Sequence, residues 1–276
     1  MQDRKALQSG TSHYLGQNFA KAADISFSNR DGELEHCYTT SWGVSTRLLG
    51  GVIMAHSDDD GLRVPPRIAP QHVVIVPFIP KPELEAQVFE YAEKLAKSLR
   101  ELTYHGEPVR VLVDKREIRG GEKNWEWIKK GVPIRIEVGP RDMESGSVVV
   151  ARRDKGPKEK ENLSVDQIPA RLMDWLDEIQ AGYFAQAKAF RDQHTYRDIQ
   201  SYDQMKEFFT PKNKEKPEIH GGFVIGKWCG DEATEPLLKD HQLTIRCIPL
   251  EQSGTEGTCL ITGRPATLDV IYAKAY

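Results

Sequence analysis

The stretch HVVIVPF, residues 72–78, is the most informative part of this sequence for the fold. It is a short apolar run without polar alternation, which is typical of a strand buried on both faces of a sheet. The next apolar residues, from Leu84 to Leu99, recur at helical spacing instead. A buried strand followed by an amphipathic helix indicates an α/β domain with helices packed on the sheet.

Strand and helix patterns keep alternating outward from this stretch to about residue 195. The predicted elements are strands at 109–113, 134–138 and 147–151, a short helix at 124–130 and a long helix over 165–183. In the strand 134–138, Arg135 and Glu137 alternate with apolar residues, which predicts one solvent-facing side. Residues 156–161 are predicted to form a charged, solvated loop. The order βαβαββα predicts a mixed sheet flanked by helices.

Further domains are predicted on either side of this segment. Before it, a strand at 37–43 leads into a buried helix at 44–56, and the prolines at 65, 66 and 70 indicate a linker. After it, the predicted elements are a helix at 232–241 and strands at 223–228, 243–249, 259–261 and 268–273. The fold class is therefore α/β and α+β, multidomain, with predicted domains at 1–69, 70–195 and 196–276.

The composition is that of an ordinary globular protein, with 39% hydrophobic and 29% charged residues. The net charge of −3 gives no overall attraction to nucleic acid, so any such binding needs a local basic patch. No apolar run approaches the roughly 20 residues that span a bilayer. The first residues lack the apolar core of a secretion signal, and the four cysteines are far apart. These features predict a cytoplasmic protein.

The first segment offers a hypothesis of a small-molecule pocket. Neither a P-loop nor a Gly-x-Gly-x-x-Gly pattern is present. Instead Thr11 and His13 lie beside a glycine, and Trp42 ends a predicted strand just before a helix. Arg47, in the first turn of that helix, could hold a purine face or a phosphate. Taken singly, the same residues suit an ordinary surface histidine, a core tryptophan and a solvated arginine.

Several longer motifs make the sequence resemble a known family. They are GTSHYLGQNF (10–19), TSWGVSTR (40–47), HSDDDGLRVPPR (56–67), GVPIRIEVGPRD (131–142), WCGDE (228–232) and YAKAY (272–276). Together they resemble the prolyl-tRNA synthetases, in particular the archaeal and eukaryotic-type branch that some bacteria also carry. The motifs extend along the whole chain in the family's order.

This resemblance implies the end of a class II catalytic domain built on an antiparallel sheet, then an anticodon-binding domain, then a small carboxy-terminal domain. The implied reaction joins proline to ATP as prolyl-adenylate and transfers the prolyl group to tRNA(Pro), in an enzyme that is homodimeric when complete. Magnesium would neutralise phosphate charge. Positioning and electrostatic stabilisation would provide most of the acceleration.

The resemblance also implies roles for individual residues near the first motifs. Arg47 would stack on adenine and is the implied catalytic residue. The implied ATP-binding set is Gln8, Thr11, Ser45 and Arg47, and the implied proline-binding set is His13, Trp42 and Gly43. Proline is small, so such a site needs a closely fitting apolar wall and a few fixed polar groups.

Two class-defining motifs of the family have no counterpart in this sequence. One builds the dimer interface, and the other supplies an arginine for the α-phosphate. We therefore expect the chain to be a fragment of a longer enzyme and to be unable to form prolyl-adenylate alone.

The anticodon would be read in the second segment. Single-stranded RNA is recognised by stacking and by hydrogen bonds to base edges. Proline anticodons carry two adjacent guanines, and a carboxylate can accept from guanine N1 and N2, so Glu137 is the first candidate. The candidates for phosphates or guanine O6 and N7 are Arg135, Arg141, Lys123, Arg152 and Arg153. An ordinary solvated strand face remains an alternative for each of them.

Many family members hold zinc in the last domain with four cysteines. Here Cys229 and Cys259 match two of those positions, whereas Thr234 and Thr262 occupy the others. Threonine hydroxyls are poor substitutes for thiolate or imidazole, so the prediction is no zinc. In the family the final tyrosine packs near the catalytic domain, which predicts a buried Tyr276.

Two other functions remain open at this point. One is a non-catalytic RNA- or protein-binding module built on an anticodon-binding domain, which the two absent motifs favour. The other is a related synthetase, such as a threonyl or histidyl enzyme. The motifs at 10–19 and 40–47 favour the prolyl enzyme, because a binding module would not need them.

Overall fold

The computed structural model describes residues 1–211, 213 and 220–276. Chain contacts divide it into two compact units. One, the central unit, consists of Gln2 and Val52–His194, and the other, the split unit, consists of Met1, Asp3–Gly51 and Thr195–Tyr276. The α/β and α+β multidomain class expected from the sequence is confirmed. Among the described residues, no helix is both long and apolar enough to cross a membrane.

The amino-terminal segment is built from short elements. They are β1 (Thr11–Gly16), α1 (Asn18–Ala22), β2 (Ser26–Ser28), β3 (Leu34–His36), β4 (Thr39–Gly43) and α2 (Arg47–His56). Strands β1 and β4 pair antiparallel, as do β2 and β3, so two separate two-stranded ribbons form.

The prediction of a buried helix at 44–56 is wrong in two respects. The helix begins at Arg47, and none of its residues is buried. Leu48, Leu49 and Ile53 on its apolar side are exposed. Two-stranded ribbons offer no layer wide enough to cover an apolar helix face, which explains this exposure.

The central unit contains the mixed sheet that the sequence predicts. Its elements are β5 (Val73–Pro77), α3 (Glu85–Arg100), β6 (Thr103–Tyr104), β7 (Glu107–Pro108), β8 (Val111–Val113), α4 (Gly120–Lys129), β9 (Ile134–Val138), α5 (Pro140–Ser145), β10 (Ser147–Arg152), β11 (Lys160–Ser164) and α6 (Ile168–Gln193). The sheet order is β11-β10-β9-β5-β8. Strand β5 is parallel to both β8 and β9, whereas β9, β10 and β11 pair antiparallel.

Strand β5 is central because both of its faces are covered. Val73 and Ile75 pack in a large core with α3 and α6, and Val74 and Val76 pack with Trp127 of α4 on the opposite face. All five residues of the strand are buried. This explains the apolar run without alternation that the sequence shows.

Two features of this sheet differ from the prediction. The segment predicted as a charged loop at 156–161 runs into β11, which pairs with β10 from Lys160 onward. The predicted solvent-facing side of β9 is exposed to solvent at only one end of the strand. Arg135 is 2% exposed, whereas Glu137, on the same face two residues later, is only partly buried.

Residues 58–64 pack on the central unit rather than forming a free linker. The two terminal nitrogens of the Arg153 guanidinium, Nη1 and Nη2, donate to Asp58, with Nη1 at 2.8 Å from Oδ2. Its Nε donates to the Ile128 carbonyl oxygen at 3.2 Å. The amide of Leu62 donates to the Lys129 carbonyl oxygen at 2.9 Å. Gly131, at φ 71°, has no room for a Cβ, which would lie 2.6 Å from the Leu62 carbonyl carbon.

Replacing Asp58 with alanine is expected to destabilise the protein by about 2–3 kcal/mol, because the buried Arg153 charge loses its carboxylate. The Arg153 hydrogen bonds hold the pKa of Asp58 below its usual range. Its contribution is therefore present above the usual carboxyl range and is lost as pH falls through the lowered value. Urea unfolding followed by circular dichroism measures this effect. Asp59→Ala, one residue away and exposed, is the matched control. Equal decreases in the free energy of unfolding of the two variants would contradict the role of Asp58.

The carboxy-terminal part of the split unit is a small α+β domain. Its elements are β12 (Thr195–Tyr196), α7 (Tyr202–Phe209), β13 (Phe223–Trp228), α8 (Glu235–Lys239), β14 (Leu243–Cys247), β15 (Gly257–Thr258), β16 (Pro265–Ala266) and β17 (Leu268–Lys274). The four-stranded sheet has the order β12-β13-β17-β14. Its core joins residues of both helices, such as Phe209 and Leu238, to Val224, Val270 and Tyr272.

The predicted strand at 259–261 is wrong, because these residues form a tight turn. The amide of Cys259 donates to the Arg264 carbonyl oxygen at 2.8 Å, and the amide of Gly263 donates to the Cys259 carbonyl oxygen at 2.9 Å. The run Cys259-Leu260-Ile261 is apolar because all three side chains are buried in the turn. An apolar run of this length does not distinguish a strand from a buried turn.

Tyr276 is exposed, not buried as predicted, but it is held in place. Its hydroxyl donates to the Asp3 carboxylate, and the Lys5 ammonium lies 4.8 Å from its ring centroid. The amide of Ala6 also donates to the Lys274 carbonyl oxygen at 2.8 Å. The end of β17 therefore anchors the residues just before the predicted ATP-binding segment.

Candidate functional site

The central unit has a cavity of about 650 Å³ at the carboxyl ends of β5 and β9. Open α/β sheets bind ligands at this edge, because loops and helix starts converge there. The cavity is bounded by the loop after β5, the first residues of α4 and α5, and the start of β11. Its lining is mostly apolar with a few polar groups, as is common in binding pockets.

Glu137 provides the carboxylate of this cavity. Its Oε1 accepts hydrogen bonds from Lys160 Nζ at 2.6 Å and Asn124 Nδ2 at 2.7 Å. Within the part of the chain that the structure describes, no hydrogen bond to Oε2 is found. The carboxylate is thus fixed in orientation while one oxygen remains available to a ligand that donates N–H groups.

Phe78 forms an aromatic wall of the same cavity. It follows β5 directly, and its amide donates to the Val138 carbonyl oxygen at 2.7 Å, which fixes its backbone beside β9. Gly120 makes room for the ring, because a Cβ there would lie 2.5 Å from Phe78 Cδ2. The side chain is 57% exposed, so its face is free to stack on a planar ligand.

Arg141 brings a positive charge to the opening of the cavity. It is exposed at the start of α5. The neighbouring carboxylate of Asp142 is engaged within the protein, because it accepts a hydrogen bond from the Gly139 amide at 2.8 Å and so caps the same helix. Arg141, Lys160 and Lys81 are therefore cations of this cavity that a ligand can reach.

A second cavity of about 550 Å³ adjoins the first and shares Phe78 and Gly120 with it. Phe89 contributes another aromatic ring, and Lys115, Arg116 and Arg119 line its side toward α4. Lys115 is paired with Glu93, and Arg116 is paired with Asp114 and Glu126, so the basic side chains of this cavity stand among acidic ones.

Four of the predicted anticodon residues are not in the lining of the first cavity. Arg135, Arg153 and Lys123 are buried, and Arg152 is nearly so. Lys123 Nζ donates to the Asp114 carbonyl oxygen at 3.0 Å, and Arg152 makes two hydrogen bonds to Asp154. Burial lowers the pKa of Arg135 to about 10. Of the predicted set, Glu137 and Arg141 line the first cavity and Lys123 lines the second.

Sequence reasoning missed three residues of the cavity. Lys160 was part of the predicted charged loop, and Asn124 was part of a predicted short helix without a named role. Phe78 ended the predicted strand. A positional signal was available for Phe78 alone, because it directly follows β5 at the carboxyl edge of the sheet.

The structure places the four predicted ATP residues near one end of the β1–β4 ribbon. Arg47 Nη1 donates to the Gln8 carbonyl oxygen at 3.5 Å, and the Arg47 amide donates to Ser45 Oγ at 3.3 Å at the start of α2. Thr11 pairs with Gly43 across β1 and β4. These five residues therefore lie around one end of the ribbon.

His13 and Trp42 do not share a face of that ribbon. His13 pairs with Ser41, whereas Trp42 pairs with Ser12. Because paired residues point to the same face and successive residues alternate, the imidazole and the indole lie on opposite faces. Trp42 is 81% exposed. The ribbon by itself therefore does not form a wall that uses both side chains.

Three of the four degenerate zinc positions lie close together. Thr262 Oγ1 donates to Cys229 Sγ at 3.8 Å. Burial disfavours ionisation of Cys259, but hydrogen bonds from the Thr262 hydroxyl and from the amides of Thr262, Ile261 and Cys229 hold its pKa below the ordinary value.

The fourth position is separate from these three. Thr234 Oγ1 donates to the Asp231 carbonyl oxygen at 2.7 Å and accepts from Trp228 Nε1 at 2.9 Å. Two thiols and two engaged hydroxyls do not fit a four-ligand zinc site. No group of three or more His, Cys, Asp or Glu side chains suited to a metal occurs in ranges 1–211 and 220–276.

Comparison with known proteins agrees with this geometry. Residues 72–175 match the model of the anticodon binding domain, and residues 213–276 match that of the prolyl-tRNA synthetase carboxy-terminal domain. The first match contains the strands and helices that surround Glu137. The two matches define the class: the appended domains of an aminoacyl-tRNA synthetase.

Whole-chain relatives identify the family within this class. The proline–tRNA ligase of Protochlamydia amoebophila is 62% identical over 276 residues, covering 100% of this chain and 54% of the relative. Proline–tRNA ligase 2 of Anaeromyxobacter dehalogenans is 50% identical, and the proline–tRNA ligase of Bdellovibrio bacteriovorus is 48% identical, with 100% of this chain and 55% and 54% of the relatives covered.

The chain therefore belongs to the prolyl-tRNA synthetase family, of which it matches the carboxy-terminal part. It spans about half the length of these relatives. All three relatives are bacterial, and they do not support the narrower assignment to the archaeal and eukaryotic-type branch.

Proposed function

We propose that the longer enzyme to which this chain corresponds ligates proline to tRNA(Pro), and that the cavity around Glu137 reads the anticodon. The observation that carries this proposal is the fixed carboxylate with one available oxygen, set beside an exposed aromatic ring in a domain that matches anticodon-binding proteins. The names of the relatives supply the substrate.

Guanine has the donor pattern that this cavity suits. Its N1–H and N2–H groups lie on one edge, and a carboxylate can accept from both. In the proposed complex Phe78 stacks on the base, while Glu137 accepts from its Watson–Crick edge. Arg141 and Lys160 are placed to meet guanine O6 and N7 or a flanking phosphate. The adjoining cavity with Phe89 would receive the neighbouring nucleotide.

The amino-terminal segment would supply part of the aminoacylation site. In this proposal Gln8, Thr11, Ser45 and Arg47 hold ATP, with the guanidinium on the adenine face. His13, Trp42 and Gly43 would belong to the proline site. None of these residues is a carboxylate, so we assign no magnesium ligand here, and magnesium would accompany the nucleotide. Proline carboxylate would attack the α-phosphate of ATP, and the tRNA terminal hydroxyl would then take the prolyl group.

The chain alone is expected not to catalyse proline-dependent exchange of pyrophosphate into ATP. Arg47 and Trp42 stand on an exposed two-stranded ribbon, and the described residues add no wall that encloses them. An exchange assay on the purified chain, with a full-length relative as the positive control, measures this. Exchange at a rate comparable to the control would contradict the expectation.

Binding of RNA stem–loops to the purified chain tests the anticodon proposal. A stem–loop whose loop contains two adjacent guanines should bind roughly tenfold or more tightly than the same stem–loop with both replaced by inosine, which lacks the N2 donor. Fluorescence anisotropy at fixed salt measures the affinities. Equal affinity for the two RNAs would contradict guanine recognition, since phosphate contacts alone do not distinguish them.

The remaining features of the longer enzyme are part of the same proposal. Domain limits at 1–69, 70–195 and 196–276 are supported by the family matches, which fall inside the last two ranges. A homodimeric state, a cytoplasmic location and the absence of zinc stay predictions. The archaeal and eukaryotic-type branch also stays a prediction, which rests on the sequence motifs alone.

A further inference from the structure

Two cysteines far apart in sequence meet at the end of β13. Cys229 directly follows this strand, and Cys259 begins the tight turn that ends at Arg264. The two segments are bonded to each other, because Lys227 and Cys259 form a parallel β-bridge and the Leu260 amide donates to the Lys227 carbonyl oxygen at 3.0 Å. The main chain itself therefore holds these two residues side by side.

Both sulfur atoms are held by the same threonine. The Thr262 hydroxyl lies 3.8 Å from Cys229 Sγ and is also within hydrogen-bonding reach of the Cys259 sulfur, so its single proton can go to either one. The Cys229 amide is a further hydrogen-bond partner of the Cys259 sulfur. Two sulfurs that share one hydroxyl, with the amide of one cysteine bonded to the sulfur of the other, are close neighbours.

A cation stands beside the more accessible sulfur. Arg264 Nη2 lies 3.4 Å from Cys229 Sγ and 2.6 Å from Asp231 Oδ2. The guanidinium is placed to donate a hydrogen bond to this sulfur. Asp231 fixes the guanidinium in this position.

The two sulfurs differ in access. Cys229 lines a cavity of about 410 Å³ together with Trp228, Gly257, Pro265 and Leu268. Cys259 is buried. A small oxidant can therefore reach Cys229 through the cavity, whereas Cys259 is buried beneath the surface.

We propose that Cys229 and Cys259 form a redox-sensitive dithiol that closes to a disulfide when the protein meets a peroxide. The Cys229 thiol gives up its proton as its sulfur attacks one peroxide oxygen, the O–O bond breaks, and the displaced hydroxide takes that proton and leaves as water. Cys229 is then a sulfenic acid. The Cys259 sulfur attacks the Cys229 sulfur, the S–S bond forms, and the S–O bond breaks. The second oxygen leaves as water with the Cys259 proton, so two thiols lose two electrons and the peroxide gains them.

The test uses the full chain with Cys37→Ser and Cys247→Ser, which leaves only the proposed pair. After hydrogen peroxide treatment and alkylation, the expected result is a loss of two hydrogen masses, no alkylation of either cysteine, and full reversal by dithiothreitol. Adding Cys259→Ser should abolish this internal bond and leave Cys229 as a sulfenic or more oxidised acid. Circular dichroism of each variant shows whether it is folded.

A second comparison tests the role of the guanidinium. Arg264→Gln should slow the peroxide reaction of Cys229 by roughly three- to tenfold, because the sulfur loses the guanidinium donor that lies 3.4 Å away. Arg246→Gln, on β14 beside Cys247, is the matched control and should leave the rate unchanged. The proposal is overturned if both cysteines remain open to alkylation at a peroxide dose that oxidises Cys247 of the natural chain. Conversion of Cys229 to a sulfinic acid without a bond to Cys259 would overturn it equally.

Discussion

Glutamine in place of Glu137 is expected to weaken binding of a guanine-containing anticodon stem–loop by about 10- to 100-fold. The carboxylate can accept from both N1–H and N2–H of guanine, whereas an amide offers one acceptor and turns an N–H group toward them. A contact of this kind accounts for about 1–3 kcal/mol of base discrimination. Fluorescence anisotropy on the purified variant measures the loss.

The decisive quantity is the ratio of the affinities for the guanine- and inosine-containing stem–loops, rather than either affinity alone. In the Glu137→Gln variant, guanine- and inosine-containing stem–loops should bind equally. Glu161→Gln removes the same charge one residue from Lys160, on an exposed side chain paired with Arg171, and should keep the preference. If both variants bind more tightly and both still prefer guanine, Glu137 acts only through its charge and the assignment fails.

Alanine in place of Asp114 is expected to lower the free energy of unfolding by about 3 kcal/mol. This carboxylate is buried and accepts hydrogen bonds from Arg116 Nε and Nη2 at 2.9 and 2.7 Å and from Trp127 Nε1 at 2.8 Å. Its loss leaves the indole donor buried without a partner and breaks a charge-assisted pair. Urea unfolding measures the change, and Asp174→Ala on the exposed side of α6 should alter stability by less than about 0.5 kcal/mol.

The Asp114 effect should depend on pH in a defined direction. Burial opposes ionisation, but the hydrogen bonds from Arg116 and Trp127 outweigh it and lower the pKa to about 2. The carboxylate therefore stabilises the fold above the unfolded value of about 3.9, and this contribution is lost as pH falls toward 2. The difference between natural chain and variant should shrink over that interval. A difference that stays constant down to pH 2 would contradict an ionised Asp114.

The central sheet could be predicted because its sequence pattern is unambiguous. The run at 72–78 has no polar alternation, and the structure covers β5 on both faces. Strand β11 was missed because its residues, KENLS, are mostly polar and exposed, so pairing with β10 leaves no apolar signal. The exposed face of α2 could not be foreseen either, because a periodic pattern shows which side is apolar but not what covers it.

Arg135 and Glu137 show why the site was only partly predictable. They lie on the same face of β9, two residues apart, and period-two alternation treats them alike. The structure separates them, because Arg135 is buried whereas Glu137 accepts a hydrogen bond from Asn124 of α4 and lines the cavity. Position along the strand decides their roles, and period-two alternation does not report that position. The partners Lys160 and Asn124 could not be assigned for the same reason.

The ion pair between Asp58 and Arg153 bears on how this protein could be dissected. A recombinant anticodon-reading piece that starts at residue 70 would lack Asp58 and the residues that hydrogen-bond to Lys129 and Gly131, and would carry an uncompensated guanidinium inside. A piece that starts ahead of residue 57 would retain them. The shortest piece that folds on its own therefore begins earlier than the matched family segment at 72–175. The residues from 57 onward belong to the folded domain and do not form a flexible linker.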